Sequence, residues 1–209
     1  APGGTVRAGC AVPGSRLLKR LTEAGLGGLA FMEGIPGTVG GWLAMNAGAH
    51  GGAIGDRVRA IRGLKKDGSR AIVVGDEAGF AYRQCRALEE VAAVEVELQL
   101  DPGDPAAVAA QRGQYRARRL DLGGRRSAGS VFRNPAADAA GRLLDAAGCK
   151  GLRVGGAEVF ARHANVIVTE PGATASDVLA LMTIMRERVL KMQGAELTAE
   201  IRVWQDLTT

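Results

Sequence analysis

Glycine is crowded into one stretch of the chain, at Gly34, Gly37, Gly40, Gly41, Gly48, Gly51 and Gly52. This limits the fold more than any other feature of the sequence. Glycine inside a helix or strand costs roughly 0.5–1 kcal/mol relative to alanine. The stretch therefore has to be a run of turns, or a place where backbone comes close to another group. Thr38 can begin a short helix there, whose free N–H groups would face an anionic or carbonyl-bearing ligand. On the residues alone two readings stay open, plain structural turns and a ligand cradle.

Regular elements flank this stretch. Thr5 to Ala8 reads as the end of a strand, and Pro13 opens a helix with Leu17, Leu18 and Leu21 on one face and Gly25 and Gly27-Gly28 to stop it. The alternating runs Val58 to Leu64 and Arg70 to Val74, joined around Asp67-Gly68, predict a hairpin. In Val91 to Leu100 the period predicts Val94, Val96, Leu98 and Leu100 on one face. Asp104-Pro105 starts a helix that runs basic towards Arg119 and is expected to link two domains. Ala140, Leu143, Leu144 and Ala147 form a helical stripe ended by Gly148, and Asn165 to Thr169 reads as a short buried strand. Thr174 caps a long helix that buries Val178, Leu181, Met182, Met185 and Val189 and ends at Gly194, with its methionines as core filler. Leu197, Ala199, Ile201 and Val203 alternate with Thr198, Glu200, Arg202 and Trp204, which predicts a last strand with one apolar face.

A chain of 209 residues, 46% hydrophobic and 23% charged, can bury one sizeable core or two smaller ones. It holds no apolar run of bilayer length, and Ala1-Pro2-Gly3-Gly4 lacks the pattern of a signal peptide, so a cytoplasmic location with no membrane partner is expected. Cys10, Cys85 and Cys149, odd in number and far apart, predict buried reduced thiols and neither a disulfide framework nor a metal site. The formal charge of +5 implies an anionic partner. Arg116, Arg118, Arg119, Arg125 and Arg126 carry much of the excess. With four Phe, two Trp and two Tyr in the chain, and only Tyr115 within that cluster, base stacking has little to work with. A small phosphorylated ligand fits better than nucleic acid.

Three further clusters have the residue types for chemistry. Gly79-Phe80-Ala81-Tyr82-Arg83 sets an arginine after an aromatic strand, where it is either a solvated edge charge or a fork of donors for a carboxylate. Ser127-Ala128-Gly129-Ser130-Val131-Phe132-Arg133-Asn134-Pro135 holds a serine with no base nearby in sequence, so it does not read as a nucleophile. Ala199-Glu200-Ile201-Arg202 puts Glu200 and Arg202 on one face, towards solvent or towards a ligand.

Taken with Gly34-Ile35-Pro36-Gly37-Thr38-Val39-Gly40-Gly41 and Met45-Asn46-Ala47-Gly48, these motifs resemble, in order and over nearly the whole chain, the later two-thirds of the UDP-N-acetylenolpyruvoylglucosamine reductase family. The resemblance implies an α+β architecture. Residues 1–103 would be the second lobe of a two-lobe FAD-binding domain of the vanillyl-alcohol-oxidase type, residues 104–126 a linking helix and loop, and residues 127–209 a smaller α+β substrate-binding domain. It also implies that the first flavin lobe, with its pyrophosphate-gripping loop, lies outside this chain. The activity implied is reduction of the enolpyruvyl ether of UDP-N-acetylglucosamine to UDP-N-acetylmuramate for peptidoglycan, with FAD as cofactor and NADPH as reductant. Hydride would go to one carbon of the enolpyruvyl group while Ser130 protonates its neighbour. Arg83 and Glu200 would stabilise the intermediate. Ile35, Pro36, Gly37, Thr38, Gly40, Gly41, Asn46, Ala47 and Gly48 would line the flavin, and Tyr82, Asn134 and Arg202 would contact substrate.

Gly151-Leu152-Arg153-Val154-Gly155-Gly156-Ala157-Glu158-Val159 and His163-Ala164-Asn165 also resemble the family's third domain, which implies a structural or substrate-shaping role for both. The short gap from Arg83 to Ser130 resembles the family branch without the extra substrate-covering loop. Asp121 to Arg126, Phe160 and Thr169 depart from the family pattern. The resemblance further implies that Arg83, Ser130 and Glu200 face one pocket beside the Gly34–Gly52 turn. The competing interpretation is a non-catalytic flavin- or nucleotide-binding module descended from such a reductase.

Overall fold

Strand β1, Thr5–Gly9, and helix α1, Gly14–Glu23, open the computed structural model, which describes residues 2–119 and 121–203. The chain divides into two compact units, Ala1–Arg119 and Leu120–Thr209. Pro13 stands at the N-cap of α1, and Leu17, Leu18 and Leu21 are its buried face. Its first residue has to be glycine, because a Cβ at Gly14 would lie 1.9 Å from the ring of Trp42. Helix α2, Val39–Ala44, follows in the glycine-rich stretch.

The long strands of the first unit are β2, Val58–Lys65, and β3, Arg70–Val74. They pair antiparallel across the Asp67-Gly68 turn, where Gly68 has φ +82° and Asp67 accepts hydrogen bonds from the Ser69 N–H and hydroxyl. A small hairpin, β4 (Phe80–Ala81) and β5 (Gln84–Cys85), precedes β6, Val91–Gln99. The four-stranded sheet runs in the order β1-β6-β2-β3, with every pairing antiparallel. Its inner face and α1 enclose Trp42, Leu43, Ile54, Ile61, Val96 and Leu98.

Val94 departs from the expected face of β6. The register between β2 and β6 slips so that Arg62 faces Glu95 while Gly63 faces Ala93. Val94 is the extra residue of this bulge and is 58% exposed, whereas Val96, Leu98 and Leu100 stay buried. A bulge reverses the inward alternation, which period counting cannot foresee.

Helix α3, Pro105–Ala117, starts as expected, with the Asp104 carboxylate accepting from the Ala106 N–H. It is part of the first unit, packed on α1 and on the turn at Ala30–Met32.

The second unit holds α4, Ala140–Ala146, then β7, Arg153–Val154, β8, Ala157–Val159, β9, Ile167–Thr169, and α5, Ala175–Gln193. Its three strands form one antiparallel sheet. Thr174 and Asp177 cap α5 reciprocally, and Gly194, at φ +65°, ends it. The core joins Phe132, Leu143, Leu144, Val159, Ile167, Leu181, Met185 and Val189.

Two strand expectations change here. Asn165 and Val166 lie outside β9, because Asn165 spends its hydrogen bonds on Val131 and Phe132. Residues 197–203 do not form a strand: Ala199 makes an isolated bridge to Phe132, and beyond it Arg202 and Val203 are exposed. Trp204 lies outside the described residues. No helix among the described residues is long and apolar enough to cross a membrane.

Candidate active site

The glycine-rich stretch is built as turns around α2. Thr38 is its N-cap, accepting from the Gly41 N–H at 3.3 Å. The Val39 N–H donates to the Val12 carbonyl and the Gly40 N–H to the Cys10 carbonyl, both at 2.9 Å. The N–H groups expected to face a ligand are thus taken up inside the protein. The expectation failed because the loop before α1, distant in sequence, supplies the acceptors.

The glycines separate into two kinds. A Cβ at Gly40 would meet Cβ of Cys10 at 3.0 Å, and one at Gly48 would meet the Gly52 carbonyl oxygen at 2.2 Å, so packing alone requires both. A Cβ at Gly41 would meet nothing nearer than Oγ1 of Thr38 at 3.7 Å, and at Gly37, φ +99°, nothing within 4 Å. Pro36, Gly37, Thr38 and Gly41 are exposed, Ile35 is half-buried, and Ala47 is buried. The Pro36 carbonyl is fixed by the Trp42 indole N–H at 3.0 Å. What results is a rigid, bare stretch of backbone, without side chains at Gly37 and Gly41, which a flat ligand can approach closely.

Asn46 ties this stretch to the β4–β5 hairpin. Its Nδ2 donates to the Ala81 carbonyl at 3.1 Å, and its Oδ1 accepts from the Gly55 N–H at 3.0 Å. Asn46 sits at φ +37°, and Arg83, in the hairpin turn, at φ +58°. A left-handed conformation costs a residue with a side chain about 1–2 kcal/mol, and such strain tends to persist at functional positions. The Arg83 guanidinium lies 4.8 Å over the ring of Tyr82, which is about half exposed.

In the second unit the segment 130–133 is held from both sides. Ser130 bridges to Val166, and the Val131 N–H donates to the Asn165 carbonyl at 3.0 Å. Asn165, 3% exposed, clasps Phe132 with its side-chain amide: the Phe132 N–H donates to Oδ1 at 2.9 Å, and Nδ2 donates to the Phe132 carbonyl at 2.8 Å. On the other side the Glu200 N–H donates to the Val131 carbonyl at 2.8 Å, and the Arg133 N–H to the Thr198 carbonyl at 2.9 Å. Backbone pairing thereby brings Ser130 and Glu200 together, although they are far apart in sequence. Arg83 belongs to the first unit.

Ser130 and Asn134 open into a cavity of about 510 Å³ that Arg142, Lys150, Arg162 and His163 also line. Asn134 accepts from the Ala140 N–H at 3.0 Å and so fixes the start of α4. Arg142 pairs with Asp138, and that hydrogen bond, with one from the Ala139 N–H, lowers the Asp138 carboxyl to about 2. Lys150 pairs with Asp145 at 2.6 Å. With Arg142, Lys150 and Arg162 set against Asp145 alone, the lining favours an anion. Arg142, Lys150 and Arg162 were not singled out from the sequence, whereas Asn165 has the structural role expected for it. The three cations share no motif, and only the packing of α4 and the loop before β9 gathers them.

The arginine cluster expected to attract a phosphorylated ligand is mostly engaged within the protein. Arg112 and Arg116 pair with Glu33, each at 2.7 Å, and Arg119 donates to the Glu33 carbonyl at 2.6 Å. Arg125 pairs with Glu158 at 2.9 Å.

Known proteins match both units. Residues 1–73 match the FAD binding domain, and residues 121–204 match the C-terminal domain of UDP-N-acetylenolpyruvoylglucosamine reductase. The UDP-N-acetylenolpyruvoylglucosamine reductase of Methylorubrum populi is 43% identical over 202 residues, 96% of this chain and 65% of that one. That of Geobacter metallireducens is 43% identical over 203 residues, covering 96% and 67%. The crystal structure of the reductase from Thermus caldophilus superposes with a TM-score of 0.82 at 34% identity, covering 96% of this chain and 73% of that one. The chain thus spans about two-thirds of the length of these curated relatives. On this agreement in sequence and in fold, the chain belongs to the UDP-N-acetylenolpyruvoylglucosamine reductase family.

Proposed function

We propose that this chain carries the catalytic residues of an FAD-dependent reductase that converts UDP-N-acetylglucosamine enolpyruvate to UDP-N-acetylmuramate with NADPH as reductant, in the cytoplasm, as a step of peptidoglycan synthesis and hence of cell-wall growth and division. The observation that carries it is the pairing of the Glu200 N–H with the Val131 carbonyl, next to Ser130, at the mouth of a cation-lined cavity. A hydroxyl on an anion-binding wall, with the Glu200 backbone paired to the residue next to that serine, suits addition across an enol ether that bears a diphosphate.

The cofactor fits the chain in one respect that can be checked. Gly41 is a helical glycine that no protein neighbour requires, and Gly37 beside it is equally open. Close approach of a flat ring accounts for Gly41, while Gly37 is also required by its own backbone at φ +99°. Residues 35–38, 40, 41 and 46–48 would hold the flavin, which when bound supplies the hydride.

The other steps belong to side chains. Serine is a weak acid in water, so Ser130 can give up its proton only to a strongly basic carbon held against it. Arg83 stays charged and offers a fixed fork of donors to the substrate carboxylate, where negative charge develops. Its backbone is left-handed in the hairpin turn, and its guanidinium lies over the Tyr82 ring. Glu200 assists enol formation from a backbone position fixed by Val131. Tyr82, Asn134 and Arg202 would contact substrate, with the diphosphate beside Arg142, Lys150 and Arg162.

The half-reactions test this. Ser130→Ala should bind FAD and accept electrons from NADPH as the parent does, and reoxidation by the enolpyruvyl substrate should slow about 10²–10⁴-fold. Unchanged reoxidation, or a flavoprotein whose parent form is never reoxidised by that substrate, would overturn the assignment, and the latter would favour a non-catalytic flavin module.

A further inference from the structure

We infer that Glu33 is a positioning residue for the cofactor: with Arg112 and Arg116 of helix α3 it fixes the entry to the glycine-rich backbone on which the flavin rests. This rests on the proposed flavin site and adds a part of the chain to which no role has been given.

Glu33 immediately precedes Gly34 and is 7% exposed. Each of its carboxylate oxygens has its own guanidinium. Oε2 accepts from Arg112 Nε at 2.8 Å and lies 2.7 Å from Nη2, while Oε1 accepts from Arg116 Nε at 2.9 Å and Nη2 at 2.7 Å. Each guanidinium holds one oxygen with two of its nitrogens, and the two together fix the direction of the carboxylate as well as its place. Arg112 is itself locked to α1, donating through Nη1 to the Leu18 carbonyl at 3.1 Å and to Oγ1 of Thr22 at 2.7 Å. Burial alone would raise the Glu33 carboxyl, but the hydrogen bonds and charges of the two arginines outweigh it and hold it below the ordinary glutamate value. It is therefore an anion whenever the chain is folded near neutral pH.

The backbone on either side is held too. Arg119 donates to the Glu33 carbonyl at 2.6 Å, and its side chain fills the space a Cβ at Gly34 would need, with Nε only 3.1 Å from that position. At the other end of the stretch, the ring of His50 lies 5.0 Å from that of Tyr115. Arg112, Tyr115, Arg116 and Arg119 follow the spacing i, i+3, i+4, i+7, so they form one face of α3 and continue just past its end. That face grips the stretch at its start and at its finish.

Stability alone is a poor reason for such an arrangement. Buried ion pairs often exchange for apolar residues at little or no loss, and geometric specificity is the better-attested reason to keep them. The specificity is spent where it matters for a ligand, since Gly37 and Gly41 begin three residues downstream of Gly34 and have no side chains of their own to orient anything.

Arg116 provides the test, because its side chain is 70% exposed while that of Arg112 is 14% exposed. In the intact protein, Arg116→Met and Glu33→Gln would be compared with the parent by FAD titration, by the fine structure of the bound flavin's visible absorption band, and by thermal unfolding of the apoprotein. Arg116→Met is expected to leave the apoprotein melting point nearly unchanged, to weaken FAD binding about tenfold or more and to blur the band. Arg116→Lys, which keeps charge without the fork, should restore little of either. Glu33→Gln should weaken binding further if it folds, and if it does not, the Arg116 pair decides. Parent-like FAD affinity and spectrum in Arg116→Met would overturn the inference while leaving the reductase proposal intact. A parent that binds no FAD would overturn both.

Discussion

Replacing Asn165 with leucine, close in size but unable to hydrogen-bond, probes how firmly the Ser130 segment is held. The side chain is 3% exposed and makes two hydrogen bonds to one residue, at 2.9 Å to the Phe132 N–H and 2.8 Å to the Phe132 carbonyl. Phe132 is itself buried, so water cannot easily replace the lost partners. A buried polar group left unsatisfied costs about 1–3 kcal/mol, and two such groups give roughly 2–6 kcal/mol. That is a large share of the roughly 5–15 kcal/mol by which folded domains are stable. Asn165→Asp keeps the acceptor, loses the donor and sets a carboxylate against the Phe132 carbonyl, so it should also destabilise. The assay is urea unfolding of the second unit, read together with amide exchange at Phe132, whose protection should fall in both variants. A leucine variant that loses less than about 0.5 kcal/mol, or keeps full protection at Phe132, would refute the idea that this amide secures the strand.

Gly48→Ala and Gly41→Ala should part company. The first drives a Cβ to 2.2 Å from the Gly52 carbonyl oxygen and should lower the melting temperature sharply, whereas the second finds only an ordinary contact with Thr38. Gly41→Ala should therefore raise thermal stability by up to about 1 kcal/mol while impairing FAD binding. Asp177→Ala removes the acceptors for the Thr174 and Gly156 N–H groups and should cost about 1 kcal/mol in denaturant unfolding. The folded-state carboxyl of Glu33 is held below its ordinary value, so its contribution is complete above the unfolded-state value and is lost as pH falls through the folded one. Acid titration should show the first unit losing stability below about pH 4, and the loss should be blunted in Glu33→Gln.

Local signals in the sequence foretold local structure. Pro13 and Thr174 open helices, Gly194 closes one, and Asp67-Gly68 turns a hairpin, because each acts through its own φ or through a hydrogen bond to the next few residues. The motifs also named the residues of the proposed site, Arg83 in the first unit and Ser130 and Glu200 in the second. What sequence reasoning missed depends on partners far along the chain. Arg116 stands 83 positions from Glu33, so the basic run read as bait for a phosphate turned out to be an internal clasp. The N–H groups of α2 looked available only because Val12 and Cys10, which accept from them, lie in another part of the chain. Val94 faces outward because the ladder slips by one residue, and alternation counted along one strand contains no information about its neighbour. The terminal segment keeps the alternation of a strand without becoming one, since its described residues pair along a short stretch at 131–133.

On the role proposed for Arg83, the left-handed turn there would set stability against function at a single codon. Glycine there would relieve the backbone at no steric cost, and the protein would melt at a higher temperature. A library of variants screened only for heat resistance should drift towards glycine at this position, and the enriched clones should be hardier and inert. Depletion of glycine from the same library under selection for cell-wall synthesis would be the complementary sign that an uncomfortable conformation is maintained for its side chain.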